Sequence, residues 1–307
     1  VIDDGSTDRG AEVVREYVRI WPESIRLIRK KNGGHGSAVN EGVRQCGGKY
    51  FKVLDADDWV YPEGLGKAME VLEQVNVQAA VCGYDRCEVK TGTLVHIPAV
   101  RQETGSKKEY VCLDMRQLLD QWEKYRQLCC LHGLIYQTKF YQDLSCMLPE
   151  KVFYDDAYFY TVPCSYADCF CVVHTMVGVY RVGEQGQSIS RVSRVKRIRQ
   201  HRKVLLEIMK TGGENSCKTV YGEEYWYRKL VSTAADYFVT AFLRHPDHKT
   251  GRRIAKEFLC VVRISNPKLY RRVKGRYCIL YLMNRIHGTE QGFERLLKLM
   301  QRGRGNV

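Results

Sequence analysis

Apolar and polar residues alternate at two different spacings along this chain, and the changes from one to the other outline its elements. Val1 and Ile2 read as the end of a buried strand, after which Ser6, Thr7 and Asp8 offer capping oxygens to a helix. Val13, Val14, Tyr17, Val18 and Trp21 recur at helical spacing until Pro22 stops the helix. Residues 25–28 alternate as a short strand. Residues 32–37 form a glycine-rich turn, 38–46 a helix closed by Gly47-Gly48, and 50–54 a strand running into an acidic turn. Pro62 opens a helix whose apolar face is Leu65, Met69 and Leu72. Residues 79–84 are a strand, and Thr91-Gly92 turns a hairpin. Such alternation of strand and helix over roughly the first 100 residues predicts a doubly wound α/β fold on a mostly parallel sheet, with ligands bound at the carboxyl ends of its strands.

The pattern continues with a helix over 115–128, a strand over 133–137, a helix over 155–165 and a strand over 171–181. From about residue 191 the texture becomes helical. Helices are expected over 195–210, 223–244, 251–264, 267–286 with a break near Gly275, and 289–301, with Asn266-Pro267 as a clear helix start. The division expected is therefore 1–195 for the α/β part and 196–307 for a helical C-terminal region.

Charge sharpens that division. The net charge is +14, and residues 191–307 hold 27 Lys+Arg against 9 Asp+Glu, while residues 1–190 hold 22 against 26. A basic helical region of this kind suits an anionic partner: a phospholipid surface, an anionic glycan or lipid phosphate, or nucleic acid. Aromatics such as Tyr225, Trp226 and Tyr277 lie among its cations, but they fit helix core positions and no nucleic-acid motif accompanies them, so nucleic acid is disfavoured. The chain has 307 residues, 44% of them hydrophobic and 27% charged, as in soluble globular proteins. No stretch reaches the roughly 20 apolar residues of a transmembrane helix; the most apolar, 169–180, is interrupted by His174. The chain opens on Val1 and runs straight into a motif, so the natural N-terminus and any targeting signal are expected to lie upstream. The 13 cysteines show no disulfide spacing, which points to a reducing compartment and a cytoplasmic location. Cys164, Cys169, Cys171 and His174 come nearest to a metal pattern, but without a C-x-x-C pair they read as a buried strand segment.

Three polar motifs fall at strand ends. In the first, Val1 to Asp8, Asp3 and Asp4 leave a strand together before a glycine turn, a pair able to accept hydrogen bonds from a nucleoside or to bind a cation. The second runs from Lys31 to Asn40, where Gly33, Gly34 and Gly36 let backbone approach a ligand before a helix N-terminus. The third, Leu54 to Trp59, carries Asp55, Asp57 and Asp58. Three carboxylates in four residues repel one another unless a divalent cation neutralises them, and Mg²⁺ or Mn²⁺ suits such an oxygen-rich site. His35 could touch a donor or an acceptor, though a loop histidine is more often structural or solvated; Trp59 could stack on a sugar or equally pack at the rim.

Together, VIDDGSTD, NGGHGSAVN and DADDW resemble glycosyltransferase family 2, which has the GT-A (nucleotide-diphospho-sugar transferase) fold. The resemblance covers residues 1–195. It implies that a strand and helix precede the first motif, so that the present chain lacks its first strand-helix unit. It implies nucleoside contacts for Asp4 with Asp3 beside it, donor contacts for Asn32 and Gly33, and an Asp-x-Asp element in Asp55 and Asp57. In that element Asp57 is the metal ligand and Asp55 touches donor or metal. The family's acidic pair opening a later helix maps onto Asp155-Asp156, with Asp155 in place of Glu and Asp156 as catalytic base. Arg181, Arg191 or Arg194 would meet the diphosphate. The implied activity is inverting transfer of a hexose-type sugar from a nucleotide donor, a UDP-sugar for preference. The implied acceptor is the hydroxyl of a glycan or lipid-linked molecule, in surface polysaccharide or glycolipid assembly. The basic helices would then lie against the inner face of a membrane. The main alternative is a non-catalytic sugar- or anion-binding protein on a truncated transferase fold. A phospho-acceptor signalling domain also pairs acids after a strand with a later aspartate, but it spans only about 120 residues and leaves the acidic triple unexplained.

Overall fold

The computed structural model describes residues 1–100, 108–125, 130–184, 187–212, 219–293 and 295–296. The chain divides into two compact units, one of residues 1–185 with 211–226, the other of 186–210 with 227–307.

The first unit is α/β. Its elements run β1 (Ile2–Asp3), α1 (Gly10–Ile20), β2 (Ile28–Arg29), α2 (His35–Gln45), β3 (Tyr50–Phe51), β4 (Trp59–Val60) and α3 (Pro62–Gln74). They continue with β5 (Ala79–Glu88), β6 (Thr93–Ile97), β7 (Tyr110–Asp114), α4 (Met115–Asp120), α5 (Trp122–Tyr125) and β8 (Leu134–Gln137). Then come α6 (Thr138–Asp143), α7 (Asp156–Tyr166) and β9 (Cys169–Val182). β1 pairs in parallel with β2 in a two-stranded sheet. A larger sheet has the order β3-β8-β5-β9-β4, with β6 on β5 and β7 on β9. Its central pair, β5 and β9, is parallel and built on buried apolar residues, Ala79 against Phe170 and Val81 against Val172. Its other pairings are antiparallel. The hairpin expected at Thr91-Gly92 joins β5 to β6, with Gly92 at φ +69°.

Two apolar layers fix this sheet. On one side Ala68, Val71 and Leu72 of α3 pack on Ala80, Cys82, Cys171 and Val173. Gly64 makes the approach possible, because a Cβ there would lie 1.8 Å from the Met176 carbonyl oxygen. An aromatic cluster holds β3 and β8 to α6 and α7: Phe51 meets Tyr141 edge-on at 5.2 Å, and Tyr136 meets Phe159 at 5.1 Å. The helix expected over 115–128 is two short ones separated at Gln121, and residues 126–128 lie outside the described residues. Asp114 and Gln117 form a capping box that starts the first. In α1 the apolar spacing buries little: Val13, Tyr17 and Trp21 are exposed, and only Ala11 is fully covered.

The second unit is helical. It contains α8 (Arg191–Lys196), α9 (Ile198–Lys210), α11 (His248–Ser265) and α12 (Pro267–Arg285). α10 (Val220–Val239) begins in the first unit, continues in the second, and ends in one π turn in which the His245 N–H donates to the Thr240 carbonyl. The segment after 186 belongs here because Ser190 caps α8 and Arg194 of α8 pairs with Asp236 of α10. α12 starts where Asn266-Pro267 predicts, with the Asn266 side chain accepting from the Leu269 N–H at 2.9 Å. It runs unbroken through Gly275, where an added Cβ would meet open space, so that glycine simply faces solvent. The helix expected over 289–301 lies partly outside the described residues.

Candidate functional site

The first motif turns as its residues require. Asp3 is buried, its Oδ1 accepting the Ser6 N–H at 2.8 Å and its Oδ2 the Arg29 Nε at 2.6 Å; these bonds hold its carboxyl down to about 2. Asp4 accepts from Lys30 Nζ at 2.8 Å and from the backbone N–H groups of Gly33 at 3.0 Å and Gly34 at 2.7 Å. Burial works against the charged form of Asp4, but these donors outweigh it and its pKa falls. The first two motifs are therefore one structure: Asp4 grips the glycine loop. Gly34 stands at φ +85°, which suits glycine alone among common residues. Asn32 is exposed at the loop's edge.

That loop delivers His35 as the first residue of α2. Gly36 permits it, since a Cβ there would fall 2.5 Å from the Pro149 carbonyl oxygen and 3.0 Å from Asp155 Oδ2. The His35 ring lies between two carboxylates, with Nδ1 at 2.7 Å from Asp155 Oδ2 and Nε2 at 3.2 Å from Asp55 Oδ1. Burial alone would lower its pKa, yet the hydrogen bonds and charges of Asp155 and Asp55 outweigh this and push it up to about 10. The same contact keeps Asp55 below the usual carboxylate range despite its burial. His35 thus joins the second and third motifs to the acidic pair before α7.

In the third motif the three aspartates have different surroundings. Asp55 faces His35. Asp57 is exposed, and its carboxyl is raised by desolvation and then by the charges of Asp58 and Asp55. The side chain of Asp58 is buried, with Oδ1 accepting the Arg181 N–H at 2.9 Å and Oδ2 lying 3.3 Å from His132 Nδ1. His132 itself stacks on Tyr180 at 3.7 Å. Asp156 is half-buried at the start of α7; burial and then the charge of Asp155 raise its pKa. Burial, and then the charges of Asp156, Asp58, Asp55 and Asp57, push the Tyr180 hydroxyl up to about 12. The Arg181 guanidinium pairs with Glu184.

The His35 contacts bring together Asp55 and Asp155, and the loop that carries His35 links them to Asp4; Asp57 and Asp156 are their neighbours along the chain. Asp3 is turned toward Arg29. Sequence reasoning missed His132 and the part played by Tyr180. His132 lies between two apolar segments with no motif around it, and only the pairing of β8 and β9 with β5 sets it beside Asp58. A cavity of about 680 Å³ opens elsewhere, between α2 and α6, and contains none of these aspartates. Among the described residues the group with metal-ligand spacing is Asp55, Asp58 and His132, whose donor atoms lie within 4.8 Å of one another. Two carboxylates and an imidazole fit a divalent cation; Asp57, expected as the ligand, is not in this group. The cysteine segment is not such a group: Cys164 Sγ contacts the Tyr136 hydroxyl, and His174 Nδ1 contacts the Lys108 carbonyl.

Comparison with known proteins follows the same residues. A family model described as glycosyl transferase family 2 matches residues 1–132. The uncharacterized glycosyltransferase YibD of Escherichia coli K12 is 36% identical over 107 residues, which are 34% of this chain and 31% of that protein. Chondroitin synthase of Escherichia coli is 34% identical over 95 residues, 31% of this chain and 14% of the synthase. The chain therefore spans about a third or less of the curated relatives it matches. Among solved structures, S. aureus TarS in complex with UDP-GlcNAc superposes with a TM-score of 0.56 at 14% identity, covering 94% of this chain and 82% of that one. At that identity the likeness is one of fold, and it agrees with the α/β class read from the sequence.

Proposed function

We infer, because residues 1–132 match the family model described as glycosyl transferase family 2, that the chain moves a sugar from a nucleotide-diphosphate donor to an acceptor hydroxyl with inversion at the anomeric carbon. The observation that carries this reading is the meeting of two motifs on one ring: His35 bonds Asp55 of the acidic turn and Asp155, the chain neighbour of Asp156. A UDP-sugar is the favoured donor, supported by the UDP-GlcNAc and UDP bound in the TarS structures. A glycan or lipid-linked hydroxyl is the proposed acceptor, in polysaccharide or glycolipid assembly. The named activity of the chondroitin synthase supports the first of these.

In the proposed reaction Asp156 takes the proton of the acceptor hydroxyl. The acceptor oxygen bonds to the anomeric carbon as the bond from that carbon to the diphosphate oxygen breaks. A carboxylate whose pKa is raised by burial and by Asp155 is a stronger base once ionised, which suits it to this step. Asp155 is held by His35, so the pair keeps a fixed geometry. Asn32, exposed at the edge of the Asp4-held loop, would meet the donor, with buried Gly33 holding the loop's shape and Asp3 supporting the turn. Arg181, whose backbone N–H donates to Asp58, would meet the diphosphate once its guanidinium leaves Glu184. Asp57 and Asp55 would hold Mg²⁺ or Mn²⁺, with Asp58 and His132 as the further donors nearby. Bound there, the cation would offset the charge of the diphosphate leaving group.

The test is release of nucleoside diphosphate from a panel of UDP- and GDP-sugars with Mn²⁺. The account expects release with at least one donor and its loss in Asp156→Asn. Metal-dependent nucleotide binding without any release across donors and acceptors would favour a binding protein instead.

A further inference from the structure

The second unit carries a surface to which the proposed sugar transfer assigns no role. α11 and α12 together hold eleven Lys and Arg and a single acid, Glu257, which lies 3.8 Å from Arg202. Between the two helices runs a groove of about 550 Å³. α11 lines it with Lys256, Leu259 and Arg263, and α12 with Tyr277, Tyr281 and Leu282. Its composition is mixed by design of the helical spacing: cations edge a floor of tyrosine and leucine. The Tyr277 and Tyr281 rings lie nearly parallel, 17° apart, and both rest against Phe242. Leu282 is 63% exposed, and Ile286, one turn further on, is 77% exposed. Neither Lys256 nor Arg263 meets a carboxylate among the described residues; Arg263 lies over the Tyr270 ring.

We propose that this α11–α12 face docks on an anionic phospholipid bilayer, with Lys256 and Arg263 at the headgroup phosphates and Leu282 and Ile286 in the acyl boundary. Charge complementarity selects the partner. An acidic lipid surface attracts a face carrying cations almost without acids, and tyrosines flanked by aliphatic side chains suit the interfacial layer. A nucleic acid would answer the cations but leave exposed leucine and isoleucine without partners. No helix of the described residues is long and apolar enough to cross a membrane, so the contact is one of surface docking.

Cosedimentation of the full chain with vesicles tests the proposal, comparing phosphatidylcholine alone with phosphatidylcholine plus phosphatidylglycerol. Binding is expected only to the anionic vesicles and to weaken as salt rises. The double variant Lys256→Glu/Arg263→Glu should lower the partition coefficient roughly 30-fold or more, and Leu282→Asp about tenfold. Both leave far-UV circular dichroism unchanged, since these side chains are surface groups. Arg199→Glu/Lys203→Glu, an equal charge change on exposed positions of α9, should alter binding much less. The proposal is overturned if the vesicles are not distinguished, if the α9 variant loses as much as the groove variants, or if RNA is bound in their place. Because no sugar donor is present, the outcome is independent of the transferase reading. A parallel titration with UDP shows whether the first unit is intact in each variant.

Discussion

His35 is the side chain on which the acidic centre is assembled. It bonds Asp155 at 2.7 Å across 120 residues of sequence and Asp55 at 3.2 Å, and it stays protonated well above neutral pH. Replacing it with Ala leaves the buried Asp155 without that donor, a loss of about 1–3 kcal/mol. Urea denaturation of His35→Ala against the parent protein measures it, and equal stability would remove His35 from this role. Asp156 carries an opposite balance. Its raised pKa means that the folded state favours the protonated acid. Below the ordinary carboxylate range both folded and unfolded forms are protonated and the burial costs nothing; above the raised value the charged form costs stability. Asp156→Asn should therefore raise the thermal midpoint at neutral pH, change it little in acid, and lower kcat by about 10²–10⁴-fold. A variant both less stable at neutral pH and fully active would contradict both assignments.

Elements place these residues, and their packing is open to similar tests. Gly64 lets α3 lie against β9, so Gly64→Ala drives a methyl into the Met176 carbonyl and should cost roughly 1–3 kcal/mol or more by overpacking. In the helical unit His201 of α9 is buried near Asp236, Arg194 and Arg244, and burial holds its pKa down to about 4. The sign follows from that depression. The unfolded chain takes up a proton near the ordinary value of 6.5, the folded unit only near 4. Stability is then full above about 6.5 and falls as pH drops toward 4, by roughly 3 kcal/mol in all. His201→Gln should flatten that part of the pH profile in denaturation experiments. Sequence spacing anticipated many of these elements: the strand end bearing Asp3, the helix opened by Pro62, the hairpin at Gly92 and the start of α12; the strand expected over 50–54 is only Tyr50–Phe51, which leaves Asp55 in a turn. It misjudged Gly275 because a glycine facing solvent costs a helix only about 1 kcal/mol, which tertiary packing overrides. It placed α1, but Val13, Tyr17 and Trp21 of the apolar face stay exposed, because periodicity says that a helix has an apolar face but not that something covers it. The aspartates stood out because their spacing in one motif reveals repulsion. His132 and Tyr180 did not, since a long-range pairing of strands is what gives each of them its neighbours.

For the whole molecule, an acidic α/β unit and a basic helical unit divide the work as proposed: one for donor, cation and proton transfer, the other for an anionic surface. The central claim concerns the first, a nucleotide site that depends on a divalent cation at the Asp55–Asp57 turn. The measurement that tests it most directly is calorimetric titration of the chain with UDP, and then GDP, in the presence and absence of Mn²⁺. The account predicts UDP binding that requires Mn²⁺ and is lost in Asp57→Ala. UDP binding that is indifferent both to Mn²⁺ and to Asp57→Ala would contradict it.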